Sequence, residues 1–416
     1  MILNKKNNKD RKMITNYFSE TTKTMKSSLI RELVAETKNV PGLISFAGGF
    51  PSPATFPKDI LSELYKEIVA QQGRDVLQYG NSEGDDILKD ELLKWENYPN
   101  LNRNNMIITV GATNAIYYMT RCLIDPGDVI LCEAPTFLGT IVAFEAIGAE
   151  VQSIPMDNEG IDLNRMAEKV KQLRDANKNI KFLYTIPDFQ NPAGITMSIQ
   201  RRRDLLNFCE AEEILIMEDN PYSRLRFSGE ELPTLFRIAH TEMNNSWLVT
   251  EIVSFSKILG PGIRVAYVKS HPELINKMVS WQQKVTISPD CVTERVVAKF
   301  IADGYMEPHI KSLCEFYKPY LDKMLTCLET EMPSYVQWTK PKGGIFLWLW
   351  LPEDVNADTL FYKAKDHLVT FIPGSKFYPE GQEKFNCMRL NYTYSTFEQI
   401  EKGIKHLGEL VKSIYV

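Results

Sequence analysis

The sequence predicts an α/β protein with a largely parallel sheet and a second, smaller α+β domain. Three observations carry that expectation. From residue 107 onward, short β-branched apolar runs alternate with longer amphipathic stretches. The side chains fit for chemistry fall just past the carboxyl ends of those runs, where open α/β sheets bind ligands. Beyond about Pro289 the texture changes to long helical patterns followed by isolated strands.

Taken in order, residues 1–15 carry Lys5, Lys6, Lys9, Arg11 and Lys12 among asparagines and read as a solvated, disordered tail, with no apolar stretch behind them to serve as a signal-peptide core. Residues 16–55 read as an arm that joins the small domain. Within it, 27–36 has helical spacing and precedes Ile44-Ser45-Phe46-Ala47-Gly48-Gly49, whose glycines let backbone come close to a ligand or another segment. The large domain is expected over 56–290, with strands at 107–110, 129–132, 182–185, 214–217, 247–249 and 265–268. The small domain, 291–416, is expected to hold helices at 294–303 and 309–331, strands at 336–338 and 345–348, and a terminal helix from Thr396.

Composition narrows the function classes. The chain has 416 residues, 44% hydrophobic and 24% charged, with a net charge of -5, which argues against nucleic acid or an anionic membrane as the main partner. The longest apolar run, 345–351, is far shorter than the roughly 20 residues of a spanning helix. Seven scattered cysteines without a C-x-x-C pair suggest neither a disulfide framework nor a zinc site, and a reducing cytoplasm fits. The five histidines form no ligand spacing, so no metal is expected.

The chemistry concentrates in Ser254-Phe255-Ser256-Lys257 and Gly260-Pro261-Gly262-Ile263-Arg264, with Gln190-Asn191-Pro192-Ala193-Gly194 and Asp219-Asn220-Pro221-Tyr222 upstream. A lysine at a strand end, flanked by small hydroxyl residues and followed by close glycines and an arginine, suits a Schiff base to an aldehyde held beside a phosphate; that is the requirement of pyridoxal phosphate. Asp219, just past an apolar strand, could keep a pyridine nitrogen protonated, or it could cap a helix. Tyr222 and the Asn191 amide could both donate to the cofactor's phenolic oxygen, although tyrosines that merely pack are common.

Gly111-Ala112-Thr113 opens a helix and makes a ready anion site from backbone N–H groups, as many ordinary strand-to-helix turns do. Phe137 could stack on a cofactor ring or pack in the core. Arg389, in the apolar strand Met388-Arg389-Leu390, needs a partner: a substrate carboxylate or a structural salt bridge.

Together these motifs resemble the fold-type I pyridoxal phosphate aminotransferases of class I/II, and within them the 2-aminoadipate and kynurenine (aromatic) branch related to the effector domain of MocR-type regulators. The resemblance runs from about Ser27 to the C-terminus. It also rests on Leu77-Gln78-Tyr79-Gly80, Asp125-Pro126-Gly127-Asp128 and Pro373-Gly374. It implies a mostly parallel seven-stranded sheet in the large domain, Lys257 as the Schiff-base lysine, Asp219 as partner of the pyridine nitrogen, and Asn191 and Tyr222 as partners of the phenolic oxygen.

The same resemblance implies that Ala112, Thr113, Ser254, Ser256 and Arg264 hold the phosphate and that Phe137 covers the ring. Arg389 would bind the substrate carboxylate, with Gly49 and Arg31 on the substrate side. Tyr79 would reach the other subunit's phosphate in a homodimer. The chain departs from the branch in having Ala112 for serine, Thr113 for glutamine, Phe137 for tyrosine and Val253 for glycine.

The function so implied is transfer of an α-amino group from an aromatic, branched-chain or 2-aminoadipate-type donor to a 2-oxo acid such as 2-oxoglutarate, with ping-pong kinetics. A lyase, racemase or decarboxylase on the same fold is an alternative, because fold does not fix reaction. A ligand-sensing protein is another.

Overall fold

The computed structural model describes residues 14–24, 40–243 and 247–415. The helical pattern expected at 27–36 and Arg31 lie outside the described residues, as does most of the lysine-rich tail.

The strands are Ile44–Ser45 (β1), Met106–Thr109 (β2), Val129–Ala134 (β3), Glu150–Asp157 (β4), Gly160–Ile161 (β5), Ile180–Thr185 (β6), Leu215–Asn220 (β7), Val249–Ser254 (β8), Ala266–Lys269 (β9), Gln337–Trp338 (β10), Phe346–Trp350 (β11), Val369–Thr370 (β12), Ile372–Pro373 (β13) and Cys387–Asn391 (β14). The large sheet runs β2-β9-β8-β7-β6-β3-β4-β5. From β8 to β4 every pairing is parallel; β9 is antiparallel to both its neighbours, and the two-residue β5 extends the seven longer strands as a short antiparallel edge.

Strands such as β3 and β6 are mainly apolar because both sheet faces are covered. In β6, Phe182 and Tyr184 point into one core with Ile116, Met119 and Phe144, while Leu183 points into the opposite core with Met166, Leu205 and Phe236. Side chains fitted to start helices make the returns crisp. Asp85 caps Asp86–Glu96, Asp162 caps Leu163–Asp175 and Ser198 caps Ile199–Ala211 by accepting from the first free backbone N–H groups.

The strand expected at 247–249 is displaced: β8 starts at Val249 and runs through Thr250 and Glu251 to Ser254. Those two polar residues made the strand look finished. They are tolerated inside the sheet because Thr250 pairs with Ser270 at 2.7 Å, and Glu251 takes Lys269 at 2.8 Å and the Asn220 amide at 2.8 Å. β4 went unseen because its burial is patchy and no apolar run marks it.

The second sheet, β10-β11-β14-β13, is antiparallel and packs with the helices Ala357–Asp366 and Phe397–Lys412 around a separate core that includes Leu347, Phe361 and Leu407. Thr396 and Gln399 close a reciprocal capping box at the start of the terminal helix. The helix Met306–Glu331 is shared: its residues to Tyr317 enter the large core, and those from Leu321 enter the small one. β1 pairs in parallel with β12, and Asn391 N–H donates to the Phe46 carbonyl at 2.9 Å, so the arm is stitched to the small sheet before it passes on to Gly49. Among the described residues, no helix is long and apolar enough to cross a membrane.

Candidate active site

A cavity of about 800 Å³ opens where the carboxyl ends of β6, β7 and β8 meet β11 and β14 of the second sheet. Of the sequence-predicted residues, Gly49, Ala112, Thr113, Phe137, Asn191, Asp219, Tyr222, Ser254, Ser256, Lys257, Arg264 and Arg389 all line it. Tyr79 does not; it lies 79% exposed on the loop after the helix Lys58–Val76.

Asp219 is inside strand β7 and caps nothing. The following turn is made by Asn220, whose Oδ1 accepts from Ser223 N–H at 3.3 Å. Its own carboxylate is buried: Oδ2 accepts from the Tyr184 hydroxyl at 2.7 Å, and Oδ1 has no hydrogen-bond partner among the described residues. Burial pushes the carboxyl up to about 6, against the Tyr184 hydrogen bond and the Lys257 charge. An unpaired buried acceptor calls for a donor, and a protonated pyridine nitrogen is one.

Lys257 follows β8 in a turn that Ser254 caps by accepting from Ser256 N–H. Its half-buried amine donates to the Gly49 carbonyl at 2.8 Å. Burial, then Arg389 and Arg264, bring it down to about 8, with Asp219 opposing. An amine so placed is neutral far more often than a surface lysine's, which an attack on an aldehyde requires.

The anion cradle is built by backbone. Gly111, at φ 77° and with no side-chain cap to offer, opens the helix Ala112–Leu123, and a Cβ there would fall on the Arg264 guanidinium. Arg264, itself left-handed at φ 53°, crosses to the Val110 carbonyl at 3.3 Å, and the Ser254 and Ser256 hydroxyls lie 3.1 Å apart beside it. Free helix N–H groups, two hydroxyls and a guanidinium suit a phosphate.

Arg389, 2% exposed, pairs with no carboxylate among the described residues. It donates to Asn191 Oδ1 at 3.0 Å and to the Ala47 carbonyl at 2.8 Å, lies 4.1 Å from the Phe346 ring centre, and keeps a buried Nε without a partner. Burial lowers it to about 10. Burial first, then the Asp219 charge, hold the Tyr222 hydroxyl well above its ordinary value, so it is a donor at neutral pH. The residues present therefore fit pyridoxal phosphate: orphan carboxylate oxygen for the ring nitrogen, amine for the aldehyde, cradle for the phosphate.

Sequence reasoning missed Tyr184, the Ala47 and Gly49 carbonyls, and Phe346. It also missed Glu133, which accepts from Ile186 N–H and Gln190 Nε2, while Gln190 also donates to the Pro135 carbonyl and accepts from Ala193 N–H. That knot ties the turn carrying Phe137 to the loop carrying Asn191. The Q-N-P string was the only signal for it.

The fold and the site define a class. Residues 44–407 match the model of the class I and II aminotransferases, and the chain belongs to that family; it is a pyridoxal phosphate-dependent aminotransferase. It is 39% identical to an aromatic-amino-acid aminotransferase of Thermococcus litoralis over 95% of this chain and 94% of that one. It is 33% identical to the 2-aminoadipate transaminase of Thermus thermophilus, covering 95% of this chain and 97% of the other. Among solved structures, the kynurenine aminotransferase of Pyrococcus horikoshii in complex with PMP and KYN superposes with a TM-score of 0.91 at 36% identity, over 97% of this chain and 98% of that one.

Proposed function

We propose that the chain transfers the α-amino group of an aromatic or other large apolar amino acid to a 2-oxo acid such as 2-oxoglutarate in two half-reactions. Pyridoxal phosphate, when bound, supplies the aldehyde that captures the amino group and the protonated ring that draws electrons from Cα. Asp219 would be the partner of that ring proton. Lys257 would hold the aldehyde through its amine and, once displaced by the substrate, serve as the base and acid that moves the Cα proton. Asn191 and Tyr222 tune the phenolic oxygen, Ala112, Thr113, Ser254, Ser256 and Arg264 hold the phosphate, Phe137 covers the ring, and Arg389 grips the substrate carboxylate.

The observation that carries the reading is the convergence on one cavity of the half-buried Lys257 amine, the Asp219 Oδ1 that has no partner among the described residues, and the buried Arg389. The donor class is supported by the wall, which Phe50, Val142, Tyr378 and Phe385 line. Among the described lining residues the cations are Lys257, Arg264, Arg389 and Lys376, and Lys376 is held by Asp358 at 3.0 Å. None of these cations is left over for a distal carboxylate, whereas an aromatic ring meets apolar wall. A donor screen at fixed 2-oxoglutarate tests this. Phenylalanine, tyrosine or kynurenine should exceed 2-aminoadipate and glutamate in kcat/KM; the reverse order overturns the assignment of donor.

We place the boundary between the domains within Met306–Glu331, where side chains pass from one core to the other, in preference to residue 290. The cytoplasmic assignment is supported by seven unpaired cysteines, four of them buried.

A further inference from the structure

Behind Asp219 stands a polar chain that the reaction as described does not use. Thr140 Oγ1 donates to the Tyr184 hydroxyl at 3.1 Å, and that hydroxyl donates to Asp219 Oδ2 at 2.7 Å. All three are buried, with Thr140 1% and Tyr184 0% exposed. The direction of the chain follows from its carboxylate end: an ionised carboxylate only accepts, so the tyrosine O–H is spent on Asp219 and the threonine O–H is left to donate to the tyrosine oxygen. The Tyr184 ring is seated independently, edge to face with Phe144 at 5.7 Å.

We infer that Tyr184, backed by Thr140, is a positioning residue for Asp219, occupying Oδ2 so that Oδ1 faces the cavity as an ionised acceptor for the cofactor's ring nitrogen. Burial alone favours a neutral carboxyl, and the tyrosine donor is the strongest described influence opposing it. Burial, then the Asp219 charge, hold the tyrosine hydroxyl far above its ordinary value, so it stays a donor. Without that donor the carboxylate becomes more basic, and the proton shared with the ring nitrogen moves toward Asp219. The ring then draws electrons less well, while substrate binding at Arg389 is untouched.

The inference rests on the assignment of Asp219 to the ring nitrogen, and the experiment separates the two. Holoenzyme is reconstituted with pyridoxal phosphate labelled with ¹⁵N in the ring, and the ring-nitrogen chemical shift is read at one neutral pH beside kcat and KM. Tyr184→Phe, which keeps the ring packing, should move the shift toward that of unprotonated pyridine and lower kcat about tenfold or more with KM for the amino acid unchanged, the size expected for losing a hydrogen bond to a charged group. Thr140→Val should move both in the same direction by less, and Thr140→Ser should recover what valine loses.

If Asp219→Asn moves the shift and Tyr184→Phe and Thr140→Val do not, the positioning role is wrong and Tyr184 only fills space. If Asp219→Asn leaves the shift in place, the assignment of Asp219 itself fails. Should Tyr184→Phe fail to fold, the Thr140 pair decides: a shift that does not respond to Thr140→Val overturns the relay.

Discussion

Lys257, Asp219 and Arg389 are each held in an ionisation state or geometry that their ordinary chemistry disfavours, and each makes a measurable claim. For Lys257 the claim is a proton: only the neutral amine attacks an aldehyde, so covalent capture of pyridoxal phosphate by apoprotein should speed up as pH rises through about 8 and be level above it. An amine at its ordinary value would keep accelerating to 10.5. Lys257→Ala should bind the cofactor without a covalent link and give no transamination; turnover near wild type contradicts the role.

Asp219→Asn removes a buried charge whose folded value lies above its unfolded one, so the stability tied to Asp219 is complete below the unfolded value of 3.8 and is lost as pH rises from there through about 6. The apo variant should therefore melt no lower than wild type at mildly alkaline pH, while its half-reaction slows by orders of magnitude. A variant that unfolds at unchanged rate marks Asp219 as scaffold.

Arg389→Lys keeps charge but loses the planar grip, and amino-acid binding should weaken by about 1.5–3 kcal/mol with cofactor affinity spared. Titration of each ligand separately distinguishes the two. That these three residues face one cavity was legible in the sequence because each sits in a local string of distinctive residues. Tyr184 and Thr140 were not, because their partners are 35 and 44 positions away and no string marks them.

Elements carry the site by where they stop. β7 ends so that Asp219 still lies in the sheet, and the Asp219-Asn220-Pro221 string, which equally fits a helix cap, leaves that choice to the neighbouring strands. β8 shows the converse: its polar interior hid half of it, because a buried Glu251 is legible only with Lys269 and Asn220 in view. Apolar strands such as β3 and β6, buried on both faces, declare themselves; a strand stabilised by cross-strand charge does not.

At the same scale, the turn from β2 into the helix Ala112–Leu123 depends on Gly111. Gly111→Ala must both strain a left-handed backbone and displace the Arg264 guanidinium. Pyridoxal phosphate affinity should fall about tenfold or more, as for a lost charge-assisted bond. Fluorescence titration of apoprotein checks this, and unchanged affinity would remove Arg264 from the cradle.

For the whole molecule, the cavity lies between two cores bridged by one helix and by the arm whose Ala47 and Gly49 carbonyls hold Arg389 and Lys257. The two-domain plan was legible in the change of texture near Pro289, but the division of Met306–Glu331 between the cores was not, since one continuous amphipathic pattern covers both. Tyr79, exposed in the single chain, is expected to complete a partner's site. Mixed dimers of Tyr79→Ala and Lys257→Ala would then contain one intact site, restoring about a quarter of wild-type activity at equal mixing; no recovery on mixing would mean that each chain builds its site alone.

The most direct test of the central claim is a single half-reaction. Holoenzyme mixed with phenylalanine or kynurenine and no oxo acid should lose the aldehyde-form absorbance of its cofactor, releasing one 2-oxo acid per site, and 2-oxoglutarate should then restore the absorbance with one glutamate formed. A cofactor that binds the amino acid but never changes form, or one that turns over without acceptor while releasing carbon dioxide or the opposite enantiomer, contradicts an aminotransferase shuttle built on Lys257.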